Sequence, residues 1–169
     1  MKQIRYGMFE TNSSSTHCVI LADKNCDAGE FVDFAIGEFG WERNVLKTPD
    51  EKASYLYTMA CEIMGEDVYQ RFYETLIKYG VNVTCSVPAK FAKDHGCWLD
   101  NGFVDHASDG DALSFVNRML NHEHALIRYL FSPESFVVTW NDNMDEDTYN
   151  HCESMCDVDY PHEKFYKGN

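Results

Sequence analysis

The sequence has no long apolar run, and this limits where the protein can act. No stretch approaches the ~18 consecutive apolar residues that a membrane-spanning helix needs. The segment from Met1 to Arg5 also lacks the apolar core of a secretory signal peptide. We therefore expect a cytoplasmic protein that has no membrane partner.

Basic residues are scarce. The 169 residues include 14 Lys and Arg against 28 Asp and Glu, which gives a net charge of −14. A chain this acidic repels phosphate backbones and anionic lipid surfaces, so we expect no direct binding of nucleic acid. The charge instead suits a partner whose own surface is basic. The alternative is that acidity only keeps a small protein in solution.

Two well-marked catalytic motifs are missing. The chain has neither a G-x-S-x-G nucleophile elbow nor a G-x-x-x-x-G-K-[ST] phosphate-binding loop. Seven cysteines are scattered along the chain, an odd number that favours reduced thiols. His151, Cys152, Cys156 and His162 include one C-x₃-C spacing of the kind found in zinc sites, but Pro161 intervenes. We expect no cofactor, and a metal at this quartet stays an open alternative.

The hydrophobic pattern predicts an α+β protein. Strands are predicted at 3–10, 17–22, 30–36, 81–87 and 136–140. Helices are predicted at 49–64, about 67–79, 111–120 and 122–131. The first three strands follow one another so closely that they suggest an antiparallel meander.

Together these elements predict a single domain. It contains a mainly antiparallel sheet of about five strands, with three to four helices packed on one face. Residues 1–143 form this domain. Residues 144–169 form an acidic C-terminal extension, which is either a short helix with loops or a partly mobile segment.

What the chain does have is an uninterrupted polar run at 11–16, closed by His17 and followed by a β-branched strand. Such side chains favour turns and caps. Together with later loop residues they supply the parts of a Ser-His-Asp arrangement. The candidate catalytic residues are Ser14, Ser15, His17, Asp105, His106 and Asp142.

Each candidate has a chemical role in this interpretation. Ser14 or Ser15 would be the nucleophile or a phosphate ligand, and His17 or His106 the general base. A carboxylate, from Asp105 or Asp142, would orient the base. The alternative is a serine-rich turn whose hydroxyls bond to amides of its own loop.

A second candidate site is a concentration of acidic residues near the C-terminus. No Lys or Arg occurs between Arg128 and Lys164. Carboxylates here would complement a groove rich in Lys and Arg by imitating the phosphates of a nucleic acid. The candidate interaction residues are Asp142, Asp145, Glu146, Asp147, Glu153, Asp157 and Asp159.

Five blocks carry a resemblance to a known family. They are Phe9–His17 (FETNSSSTH), Gly37–Glu42, Lys52–Leu56, Gly102–Ser108 and Trp140–Asn143. They resemble an uncharacterised family of small proteins of bacteriophages, prophages and their Gram-positive hosts. The resemblance spans roughly positions 5 to 143 and implies action in the cytoplasm of an infected host cell. It implies no established activity.

Two functional hypotheses follow. In the first, the protein inhibits a basic, nucleic-acid-handling host protein such as a CRISPR effector or another defence component. In the second, it is a small enzyme, or a nucleotide- or metabolite-binding protein, with a polar Ser/His/Asp pocket. The sequence favours the first slightly, because the charge is large and no complete catalytic motif is present.

Overall fold

An antiparallel sheet passes through the centre of the protein. The computed structural model describes residues 15–93, 98–105 and 111–167. The strands are β1 (Ser15–Ala22), β2 (Phe31–Ala35), β3 (Glu38–Phe39), β4 (Asn44–Leu46), β5 (Asn82–Val87), β6 (Phe103–Val104), β7 (Phe136–Asn141) and β8 (His162–Lys167). Four of them form the main sheet in the order β4-β7-β1-β8, with every pairing antiparallel. The predicted α+β class and mainly antiparallel sheet are confirmed.

Five helices are found in the described residues. They are α1 (Pro49–Met64), α2 (Tyr69–Lys78), α3 (Ala112–Asn121), α4 (Glu123–Phe131) and α5 (Glu146–Met155). The start of α1 follows from its sequence. Thr48 Oγ1 accepts a hydrogen bond from the Glu51 amide, the Glu51 carboxylate accepts one from the Thr48 amide, and Pro49 takes the first position. Gly65 ends the helix in the left-handed region, at φ 66°.

Strand β1, which lies between β7 and β8 in the main sheet, is buried on both faces. All eight residues of β1 are buried. Val19 and Leu21 pack into a large core that also contains residues of α1, α2, α3 and α4, whereas Cys18 and Ile20 pack into a smaller core under α5. Four helices therefore contribute to the large core, and α5 covers the small one.

The expected meander is wrong. Strand β2 does not pair with β1; it pairs in parallel with β5, and β3 pairs in parallel with β6. These two short ladders stand apart from the main sheet. The reason is the core of β2, where Phe34 packs against Tyr57 and Phe72 of the first two helices. The predicted strand at 3–10 lies outside the described residues.

The acidic C-terminal segment joins the same fold. Helix α5 packs on β7, and β8 forms the sheet edge beside β1, with Cys18 paired to Tyr166. The boundary predicted at residue 143 thus coincides with no break in the described structure. None of the helices in the described residues is long and apolar enough to cross a membrane.

Candidate functional site

A polar centre lies at the start of β1, at the edge of the large core. Strand alternation puts Ser15 and His17 on the same face, where Ser15 Oγ lies 3.1 Å from His17 Nε2. His17 Nδ1 lies 2.9 Å from the Tyr55 hydroxyl of α1. Ser15 Oγ also donates a hydrogen bond to the Asp105 carbonyl, at 3.4 Å. We call Ser15, His17, Tyr55, Asp105 and the adjacent Gly40 the polar centre.

Parallel pairing of β3 with β6 brings Gly40 and Asp105 to this centre. The Asp105 amide donates to the Phe39 carbonyl at 2.9 Å. Gly40 and Asp105, which follow β3 and β6, therefore lie side by side where the pairing of these strands ends. Gly40 has φ +119°, and a Cβ there would lie 2.7 Å from Asp105 Cβ and 2.9 Å from His17 Nε2. Only glycine fits, and its backbone closes over the serine–histidine pair.

Hydrogen bonds fix this closing loop across the end of the main sheet. Asn141 Nδ2 donates to the Trp41 carbonyl at 2.6 Å, and Thr139 Oγ1 donates to the Glu42 carbonyl at 3.0 Å. Trp41 itself is 55% exposed and meets the Phe103 ring edge to face. The loop is therefore anchored by backbone contacts while its tryptophan faces solvent.

The protonation of Tyr55 sets which groups donate and which accept hydrogen bonds in the polar centre. Burial raises the pKa of Tyr55, so the phenol keeps its proton. Among the described contacts, His17 is the partner of that hydroxyl, which therefore donates to Nδ1. Nε2 then carries the ring proton and donates to Ser15, and Ser15 donates to the Asp105 carbonyl. In this polarity the hydroxyls of Tyr55 and Ser15 each donate one hydrogen bond, and Nε2 is the donor toward Ser15.

The structure brings together part of the predicted catalytic set. Ser15, His17 and Asp105 meet, although it is the Asp105 backbone carbonyl that Ser15 contacts. Asp142 is exposed and follows Asn141, which pairs with Ser15 in the sheet. Ser14 and His106 lie outside the described residues.

Two members of the polar centre were missed by sequence reasoning. Neither Tyr55 nor Gly40 is among the candidate residues named from the sequence. The available signal was a hydroxyl in an otherwise apolar stripe, together with a second glycine three residues after Gly37. Tyr55 occupies the position at which a catalytic triad would need a carboxylate.

Described residues from the five sequence blocks named above meet here. Ser15 and His17 come from the first, Gly40 from the second, Tyr55 from the third and Asp105 from the fourth. The fifth block supplies the asparagine that holds the closing loop. Segments far apart in sequence thus build one small region.

The candidate interaction residues form a different kind of surface. All seven are exposed, and they lie on α5 and on the segments that flank it. Asp145 caps α5 by accepting from the Thr148 amide at 2.9 Å, and the hydrogen bonds from Thr148 lower the pKa of Asp145. Asp157 lies 3.7 Å from the ammonium of Lys164. We call this surface the acidic face.

The possible zinc quartet is not assembled as one. His151 is exposed on α5, whereas Cys152 and Cys156 are buried beneath that helix. His162 Nδ1 donates to the Tyr160 carbonyl at 2.7 Å. In the described part of the chain, no group of three or more His, Cys, Asp or Glu side chains is placed to hold a metal ion.

Comparisons with models of protein families, with curated proteins and with solved structures give no match. Function must therefore be inferred from the residues and their geometry.

Proposed function

We propose that the protein is an acidic interaction protein that inhibits a basic, nucleic-acid-handling protein in the cytoplasm of a phage-infected host. A CRISPR effector or another defence nuclease has the required chemistry. The supporting observation is the exposure of all seven candidate carboxylates around one helix. No Lys or Arg interrupts the sequence between Arg128 and Lys164.

The packing of α5 on the sheet supports this role. Its buried side, which includes Cys152 and Tyr149, packs on Trp140 of β7. One side of the helix is thus buried in the small core, and its acidic residues face solvent. Rigidly held charge of one sign accelerates encounter with an oppositely charged groove, and salt screens the attraction.

The test measures inhibition of DNA binding by a panel of purified defence nucleases, beginning with an RNA-guided CRISPR nuclease. The triple variant E146Q/D147N/E153Q removes three charges from the acidic face. The matched control D27N/E30Q/E66Q removes three exposed charges elsewhere. We expect about a tenfold loss of affinity in the first variant alone, and steep weakening as salt rises. Equal losses in both variants, or binding that salt does not change, would contradict a specific acidic face.

The second candidate function is a small enzyme, or a nucleotide- or metabolite-binding protein, acting at the polar centre. It is favoured by the meeting of Ser15, His17 and Asp105 where the resemblance blocks converge. Catalysis would require the opposite polarity, in which Ser15 donates its proton to Nε2. Opening of the Gly40 loop would also be needed.

A panel of nucleotides and polar metabolites, scored by thermal shift and by turnover, tests this candidate. H17Q keeps a hydrogen-bonding side chain but cannot exchange a proton near neutral pH, and H17A removes both functions. Loss of turnover in both variants, with the fold intact, would support catalysis. Full biological effect in both would contradict it.

A further inference from the structure

Two cysteines meet beneath α5. Cys18 belongs to β1, and Cys156 follows α5 as its C-terminal cap. Both are buried in the same small core, at 0% and 2% exposure, and their thiols lie close enough for each to shift the pKa of the other. Cys156 Sγ also lies 3.5 Å from the Cys152 carbonyl, to which it donates. The first and last parts of the described fold are thus joined by a pair of thiols.

A surface groove leads to one member of this pair. It has a volume of about 480 Å³ and is lined by Cys156 together with Glu153, Asp157, Lys164 and Tyr166. The Lys164 ammonium lies 3.7 Å from Asp157 Oδ1 and 5.9 Å from the centre of the Tyr166 ring. Tyr166 is paired in the sheet with Cys18, which itself does not line the groove. A small molecule in the groove would therefore meet Cys156 first.

The surroundings make the two thiols unequal. The hydrogen bond from Cys18 is the main cause that lowers the pKa of Cys156, and the charge of Lys164 lowers it further, against the effect of burial. The same hydrogen bond, together with burial, raises the pKa of Cys18. Cys156 lines the groove beside Lys164 whereas Cys18 does not, so Cys156 is placed to attack a molecule in the groove and Cys18 to react second.

We propose that Cys156 and Cys18 form a peroxide-reactive dithiol, in which Cys156 reduces a hydroperoxide that enters the groove and Cys18 closes a disulfide. The Cys156 sulfur attacks one peroxide oxygen, the O–O bond breaks, and the other oxygen leaves with a proton as an alcohol or water. Cys156 is then a sulfenic acid. The Cys18 sulfur attacks that of Cys156, the S–O bond breaks, and water leaves. Two thiols have been oxidised and one peroxide reduced.

This proposal does not depend on the proposed partner. It concerns the two thiols beneath α5, although Glu153 and Asp157 of the acidic face also line the groove that leads to them. Closing the disulfide would join the C-terminal end of α5 to β1 by a covalent bond.

The test treats the full chain with limiting hydrogen peroxide, counts the free thiols and maps the disulfide by peptide mass spectrometry. We expect two of the seven thiols to disappear together and one Cys18–Cys156 linkage to form. C152S should behave like the wild type, although Cys152 belongs to the same core. Oxidation of the half-buried Cys26 and Cys85 before Cys156, or a disulfide between other cysteines, would overturn the proposal.

Two variants separate the roles of the thiols. In C18S, the sulfenic acid should persist on Cys156 and be trapped by dimedone, while C156S should lose the rapid consumption of peroxide. Circular dichroism and thermal melting check that each variant is folded. If either variant fails to fold, peptide mapping of the wild type at substoichiometric peroxide still tests the proposal. The Cys18–Cys156 disulfide should then be the first linkage to form, and a different first disulfide would overturn the proposal.

Discussion

The two faces of β1 differ in size and in chemistry. On one face, Val19 and Leu21 contact a large core built by four helices, with the polar centre at its edge. On the other, Cys18 and Ile20 contact a small core that holds three cysteines, Trp140 and a single helix. The comparison shows that the acidic helix α5 is held by few residues, so single changes there should have large effects.

The largest effect is expected from Trp140→Ala on the α5 side. Trp140 is completely buried, and its ring meets Tyr149 of α5 and Tyr166 of β8. Truncating a buried tryptophan lowers the free energy of unfolding by about 3–5 kcal/mol. Urea denaturation measures the loss. Trp98→Ala, at a side chain that is 68% exposed, is the matched control and should change stability by less than about 0.5 kcal/mol.

The next effect is expected from Gly40→Ala at the polar centre. The new Cβ would collide with Asp105 and His17 and would hold an unfavourable φ of +119°. We expect a loss of at least about 2 kcal/mol in the free energy of unfolding. Gly80→Ala is the control, because Gly80 has φ +76° with nothing within 4 Å of the added Cβ, and it should cost only about 1 kcal/mol. Equal costs would show that close packing over the serine–histidine pair is unimportant.

A smaller effect is expected from Tyr55→Phe, which tests the polarity of the same centre. The variant removes the hydroxyl that donates to the buried His17 Nδ1, at a cost of about 1–3 kcal/mol in the free energy of unfolding. Tyr73→Phe, at a half-buried position of α2, should cost little. Nitrogen NMR of wild-type His17 should find the ring proton on Nε2. A proton on Nδ1 would contradict the polarity and favour catalysis.

The smallest effect is a pH dependence at Lys52 of α1, in the large core. The ammonium donates to the Ser132 and Ser135 carbonyls, at 3.1 and 2.9 Å, and burial lowers the pKa of Lys52 to about 8. Above pH 8 the folded protein has released this proton while the unfolded chain still binds it. The stability contribution of Lys52 therefore rises with pH, up to the unfolded pKa of 10.5.

Comparison with Lys52→Met separates the contribution of Lys52 to the free energy of unfolding from the contributions of other groups that titrate at alkaline pH. From pH 7 to pH 9, the free energy of unfolding of the wild type should improve relative to the variant by about 1 kcal/mol. Chemical denaturation at both pH values measures it. A constant difference between the two proteins would mean that Lys52 titrates normally in the fold.

Much of the local structure could be predicted because its causes are local. The capping box at Thr48 and the glycine at 65 define α1 almost to the residue. Runs of β-branched residues locate β1 and β7, and their alternation puts Ser15 and His17 on one face. The exposure of the seven acidic residues likewise follows from the cost of burying a carboxylate.

The partners of those elements could not be predicted. Pairing of β2 with β5 rather than β1 depends on how Phe34 packs between two helices. The role of Tyr55 depends on a contact with a residue 38 positions away, which helical periodicity cannot reveal. Edge pairing of β8 depends on β1 having an open side.

The sequence by itself thus determined the α+β class, the extent of α1 and the strong acidity of the C-terminal segment, because each arises from composition or from contacts within a few residues. Tertiary structure alone decided that Gly40, Tyr55 and Asp105 surround His17, and that Cys18 meets Cys156. These contacts join positions distant in the chain, and their geometry is set by how whole strands and helices pack.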